Sequence, residues 1–164
     1  MSGQFLHYAA VTAVMNVAIW GPAAWAGPQD VVHLSGDVTA GTQSVSIADL
    51  EAIGLAEVET FNPHEANADQ YAGVWLTDLI ETFGTGQTQS VTLTAIDHYQ
   101  AQFSRQEWQE MEVLLATRAN GKFLEFETRG PMRVVIADYD ETKRLHQETV
   151  AKWVWMITEI EFQD

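Results

Sequence analysis

The closing segment "KWVWMITEIEF", Lys152 to Phe162, does most to limit what this chain can fold into. Its apolar residues alternate instead of recurring every third or fourth position, so it reads as a β-strand. Val154, Met156, Thr158, Ile160 and Phe162 fall on one side, the natural core face. Trp153, Trp155 and Ile157 fall on the other side with Glu159 and Glu161, which makes that face aromatic at one end and acidic at the other.

Short strands of this kind recur along the chain. "DVVHLSGDV" alternates around Val32 and Leu34 and ends in a Gly-Asp turn, and "LAEVETF" follows as a second strand. Val91 to Ala95, "YQAQFS", "EVLLATR", "FLEFET" after the Asn120–Gly121 turn, and "PMRVVIAD" add five more. Helices are short. Ser46 caps "SVSIADLEAIG", and "GVWLTDLIETFG" carries Leu76, Leu79, Ile80 and Phe83 on one stripe before Gly84. Ser104 and Glu107 form a capping box for a further short helix through Trp108. "NPHEANAD" reads as a polar loop and "YDETKRLHQETVA" as irregular or weakly helical. Many strands with a few short helices define an α+β fold of mixed, β-rich character.

The 164 residues suit one domain with one core, and no repeat, low-complexity tract or internal linker divides them. Residues 1–26 read as a secretory signal, leaving residues 27–164 as the domain. "YAAVTAVMNVAIW" is the apolar stretch, Pro22 breaks any helix, and Ala24 and Ala26 supply an A-x-A cleavage site. The leader lacks Lys and Arg, and the run is shorter than the roughly 20 apolar residues of a membrane span. Cleavage after Ala26 would place the protein in the periplasm or otherwise outside the cytoplasm.

Asp and Glu number 23 against 8 Lys and Arg, and no basic residue precedes Arg105. Without a basic stripe to displace counterions, nucleic acid and anionic membrane surfaces are excluded as partners. There is no cysteine, which removes thiolate ligands, iron–sulfur clusters and thiol nucleophiles. His33, His64, His98 and His146 show no H-x-x-x-H spacing, and "DYDET" lacks the glycine and terminal glutamate of a calcium loop. No metal site is therefore expected. No serine sits in a nucleophile-elbow context, and no carboxylate pair is singled out, so no catalytic residue is assigned.

What remains is a set of groups suited to a flat heterocycle. Asp97 and Tyr99 follow one strand, Arg129 opens "RGP" before another, and Trp153 and Trp155 lie on the last. A carboxylate can accept two parallel hydrogen bonds from the amino–imino edge of a pterin. Its ring can stack on indole, and a guanidinium suits its oxygens. Each residue also has a plainer reading. Asp97 and His98 can be turn residues, Arg129 a surface charge paired with Glu127, and one tryptophan can be packed under a loop.

The run "VVHLSGDV…VSIADLEAIG…VETF…YAGVWLTDLIETFG…VTLTAIDHYQAQFS…GPMRVVIAD…VWMITEIEF" resembles the molybdopterin-binding domain of the sulfite oxidase family, over about Val31 to Phe162. "GVWLTDLI", the strand "VTL", "RGP" before an apolar strand and the closing "W-x-x-x-x-I-E" carry the resemblance. In the family's enzymes a strand like "VTL" leads to the cysteine that ligates molybdenum, a position falling on or next to Ala95 here. The resemblance thus implies the fold and a pterin-type ligand but argues against molybdenum. The chain looks more like small exported relatives with a "D-Y" pair where this one has Asp97, His98 and Tyr99. Some of those bind pterins in the periplasm and report to a membrane-bound enzyme of cyclic di-GMP signalling. The expectation is a non-catalytic pterin-binding or sensing module. The alternatives are an oxidoreductase subunit holding molybdopterin without a cysteine ligand, and a structural subunit with a vestigial pocket.

Overall fold

The computed structural model describes residues 27, 29–41 and 43–164, so the leader read at residues 1–26 lies outside the described residues. In chain order the elements are β1 (Val31–Gly36), β2 (Gln43–Ser46), α1 (Ile47–Glu51), β3 (Ala56–Asn62), β4 (Asn67–Trp75), α2 (Leu76–Phe83), β5 (Ser90–Ala95) and β6 (Gln100–Ser104). They continue with α3 (Arg105–Glu110), β7 (Val113–Ala119), β8 (Lys122–Phe123), β9 (Arg133–Ile136), α4 (Arg144–Glu148) and β10 (Ile157–Gln163). The fold is α+β and β-rich, with short helices, as the alternation predicts.

The strands form two sheets. One runs β2-β1-β10-β5-β6, and β1 and β10 pair in parallel at its centre with Leu34 opposite Ile160. The other runs β3-β4-β7-β8, with β9 also paired to β7. This second sheet curls, so that the buried Thr60 hydroxyl of β3 donates to the Ile136 carbonyl of β9 at 3.0 Å. One continuous cluster fills the interior, including Leu34, Leu93, Phe103, Leu115, Val135, Ile160 and Phe162. Burying apolar surface at roughly 25 cal/mol per Å² is the main term favouring this arrangement.

Local chemistry explains many of the boundaries. Ser46 caps α1 by accepting from the Asp49 amide at 3.1 Å. Ser104 and Glu107 form both halves of a capping box on α3. Asn120 and Gly121 both adopt positive φ, 50° and 77°, the backbone of a two-residue hairpin turn, which sets Ala119 opposite Lys122.

Three sequence expectations are corrected. β4 was expected as a polar loop followed by the start of a helix, yet Asn67–Trp75 is a strand paired on both sides, and α2 begins only at Leu76. Its sequence hides it. Tyr71 to Val74 are buried without a break, so the period of two is lost where the strand is covered on both faces. Of "FLEFET" only Phe123 belongs to a strand, the end of β8, because the Thr128 hydroxyl accepts from the Glu125 amide at 2.7 Å and closes a 3-10 turn over Phe126–Thr128. The last strand begins at Ile157, not Lys152. Met156 has φ 58°, and the register against β5 shifts between Ile157 and Glu159, so Ile157 joins Ile160 and Phe162 in the core while Met156 and Thr158 stay half-buried.

Gly73 marks the tightest approach in the second sheet. A Cβ there would lie 2.1 Å from the Leu115 carbonyl oxygen, beside the register shift between β4 and β7. Gly73→Ala is expected to cost about 1–3 kcal/mol by overpacking. Gly54→Ala, in open surroundings, should leave the urea midpoint nearly unchanged. Equal midpoints for the two variants would refute the account of this crossing.

Candidate functional site

The stretch between the last 3-10 turn and β10 joins the two sheets. The Val134 amide of β9 donates to the Val154 carbonyl at 2.8 Å, and the Ile157 amide to the Met132 carbonyl at 3.0 Å. On the other side the Ile96 amide, just past β5, donates to the Met156 carbonyl at 3.0 Å. Trp153 to Met156 are thus strung between the sheets instead of lying within one. A cleft of about 250 Å³ opens at this seam, lined by His64, Ala95, Asp97, Tyr99, Ala151, Trp153, Val154 and Trp155.

Four of the five residues singled out from sequence line this cleft: Asp97, Tyr99, Trp153 and Trp155. Asp97 and Tyr99 sit in the turn joining β5 to β6. The Tyr99 amide donates to Asp97 Oδ1 at 3.0 Å, and His98 takes φ 68°, so the turn reading of Asp97 and His98 also holds. Tyr99 stays half-exposed, and its hydroxyl donates to the Ala151 carbonyl at 2.8 Å. Trp153 is 3% exposed and packs edge-on against Tyr139. Its indole Nε1 is buried with no partner among the described residues. A buried donor left unpaired costs roughly 1–3 kcal/mol.

Arg129, the fifth, stands at the rim outside the lining. Its guanidinium lies 4.5 Å from the centroid of the Trp155 ring, and Nη1 bonds Glu65 Oε1 at 2.9 Å. The plainer alternative, a pairing with Glu127, does not hold: Arg129 takes φ 67° at the end of the 3-10 turn and reaches Glu65 on the β3–β4 turn instead. Arg133, 4% exposed, approaches the same Oε1 at 3.3 Å.

His64 and Glu65 were not singled out as ligand contacts, because they belong to a hairpin tip whose second strand the sequence conceals. The fully buried Asn62 fixes that tip. It accepts from the His64 amide at 3.0 Å and donates to Glu65 Oε2 at 2.9 Å. His64 stands edge-on to Trp155 with centroids 5.8 Å apart, and its Nε2 lies 3.0 Å from the Val150 carbonyl. A carbonyl only accepts, so Nε2 carries the proton in this contact. "N-P-H-E" between two polar stretches is the one sequence signal that marks the tip.

Lys152, between the lining residues Ala151 and Trp153 in sequence, pairs with Glu107 of α3. Burial alone would raise the Glu107 carboxyl. Hydrogen bonds from Lys152 and from the Ser104 amide and hydroxyl outweigh it and hold the group below its ordinary 4.5. Among the described residues, no three His, Asp or Glu side chains cluster as metal ligands.

Comparison with known proteins places this geometry. The family described as the oxidoreductase molybdopterin binding domain matches residues 36–164, and the chain belongs to that family. The sulfane dehydrogenase SoxCD from Paracoccus pantotrophus shares the fold, with a TM-score of 0.63 at 18% identity. That alignment covers 84% of this chain and 39% of the other, so this chain spans well under half of its neighbour's length. Among curated proteins no match was found.

Molybdopterin is the group the family implies, and the cleft fits part of it. Indole, phenol and carboxylate groups among the lining residues suit the ring. The volume lies just under the roughly 300 Å³ at which most ligand pockets begin, room for a ring more than for a whole cofactor. Ala95, in the lining at the end of β5, offers only a methyl group.

Glu107 has a depressed pKa, so its contribution to stability is complete above its unfolded value near 4.5 and is lost as pH falls through the lower folded value. Glu107→Gln is expected to flatten the acid limb of stability below about pH 4.5, read as thermal midpoints across pH. An unchanged acid limb would show that the Lys152–Glu107 pair does not hold this side of the cleft.

Proposed function

We propose that the chain is an exported, non-catalytic module that binds a pterin-type heterocycle in the seam cleft. One observation carries this reading: the two sheets bring Asp97, Tyr99, Trp153 and Trp155 around one cavity, with Ala95 beside them. Asp97 retains an oxygen for the ring's amino–imino edge, since only Oδ1 is engaged by the turn. The ring stacks on the Trp155 face opposite Arg129, and Tyr99 adds a polar contact. Export rests on the leader at residues 1–26, and reporting to a membrane-bound partner of the cyclic di-GMP type rests on the resemblance.

Tryptophan fluorescence titrated with a reduced pterin tests the binding. Quenching with micromolar affinity is expected. Trp155→Ala should weaken binding about tenfold through loss of stacking, and Asp97→Asn by roughly 10- to 100-fold through loss of a charged acceptor. No binding tighter than about millimolar would overturn the reading.

Family membership itself favours a second reading, an oxidoreductase subunit that holds molybdopterin without a cysteine ligand. Elemental analysis of protein isolated from its native compartment separates the two. Molybdenum at one atom per chain would establish the second reading and sink the first.

A further inference from the structure

We infer that Asp30 is a built-in counter-ion for the amino terminus that leader removal creates at Gly27. This inference rests on the export reading, with cleavage after Ala26. The Gly27 nitrogen donates to Asp30 Oδ2 at 3.0 Å, and the Asp30 amide donates back to the Gly27 carbonyl at 3.0 Å. While the leader is attached, that nitrogen is an uncharged amide. A leader-removing peptidase hydrolyses the Ala26–Gly27 bond with one water. The water oxygen joins the Ala26 carboxylate, and both water protons go to the Gly27 nitrogen. The nitrogen already seated on Asp30 thus becomes an ammonium, and a charge-assisted hydrogen bond is roughly twice as strong as a neutral one.

The fold holds Asp30 in place from the other side. Its carbonyl accepts from the Ile47 amide at 2.8 Å, where α1 begins, and the next residue, Val31, pairs with Ser46 of β2. Ile47 is itself a core residue. The carboxylate is therefore fixed to the body of the domain and not only to the turn it closes.

Asp30 also lacks any other cation. It is half-buried and lines a crevice of about 180 Å³ with Ile96, Phe126, Pro131 and Met156, and no other lining residue is charged. Among the described residues, no Lys, Arg or His lies in ion-pair range of it. Six of the eight basic side chains are engaged by other carboxylates. Arg105 is held by the Gly86 and Thr88 carbonyls, and Lys122 stands on β8 in the other sheet. A carboxylate beside apolar groups is costly until a cation reaches it. The new terminus is that cation. The seat also discriminates between cleavage sites. A terminus one residue earlier would move the charge by about 3.8 Å along the chain and leave a neutral amide on Asp30.

Mass measurement and thermal unfolding test this together. The exported protein is expected to have the mass of residues 27–164. Its thermal midpoint should lie about 1–4 °C above that of a chain that keeps Ala24 to Ala26. Asp30→Asn keeps a hydrogen-bond acceptor and removes the charge, so it should abolish that gap. Should Asp30→Asn fail to fold, enzymatic acetylation of the Gly27 terminus takes its place. Acetylation keeps one N–H and removes the charge, so the midpoint should fall to that of the longer chain. Equal midpoints for the two unaltered chains would overturn the inference and leave export intact. A gap that survives Asp30→Asn or acetylation would do the same, as would a mature chain that begins elsewhere. A leader still attached to protein in its native compartment would overturn both this inference and cleavage after Ala26.

Discussion

The structure depends on a short strip of backbone between the two sheets. Val154 and Met156 give their carbonyls to β9 and to the end of β5 respectively, and Ile157 returns an amide to Met132. Buried backbone groups must find partners, and here they find them on opposite layers, which locks the sheets at a fixed offset. The cleft is the space this offset leaves. Its two tryptophans stand on the strip that joins the layers, so the packing that makes the fold also makes the site.

Around the seam, the polar groups are arranged to hold aromatic surfaces in place. Arg129 covers Trp155 from one side and His64 stands perpendicular to it, while Tyr139 stands perpendicular to Trp153. Tyr139 in turn stacks on the buried His146, whose Nδ1 accepts from the Asp140 amide at 2.9 Å. The β3–β4 turn, the β5–β6 turn and the helical segment before Trp153 thus converge from distant parts of the chain. Each delivers one wall, and hydrogen bonds to the Val150 and Ala151 carbonyls tie two of them to the third.

Much of the fold was legible because it is written in local chemistry. The capping residues Ser46 and Ser104, the Asn120–Gly121 turn and the alternation in β1, β3 and β6 each act within a few residues, and each formed where its chemistry required. β4 was not legible. Covered on both faces, it lacks alternation, and its Gly73 is there for the close approach to Leu115, a neighbour far away in sequence. Missing β4 also hid the role of His64 and Glu65, since a hairpin tip has no address until both its strands are known. The last strand failed for a related reason: Met156 with its positive φ and the bulge after Ile157 answer to β5 and β9, not to local preference.

The sequence alone determined the β-rich α+β class, the absence of any thiolate, the strongly acidic charge and the types of side chain available to a ligand, because composition and short-range patterning suffice for these. Only the tertiary structure decided that Asp97, Tyr99, Trp153 and Trp155 share one cavity, that Arg129 stands outside it, and that Glu65 holds two guanidiniums at its rim. Those contacts join residues far apart in the chain. Their geometry is set by how two twisted sheets meet, and no window of sequence contains that.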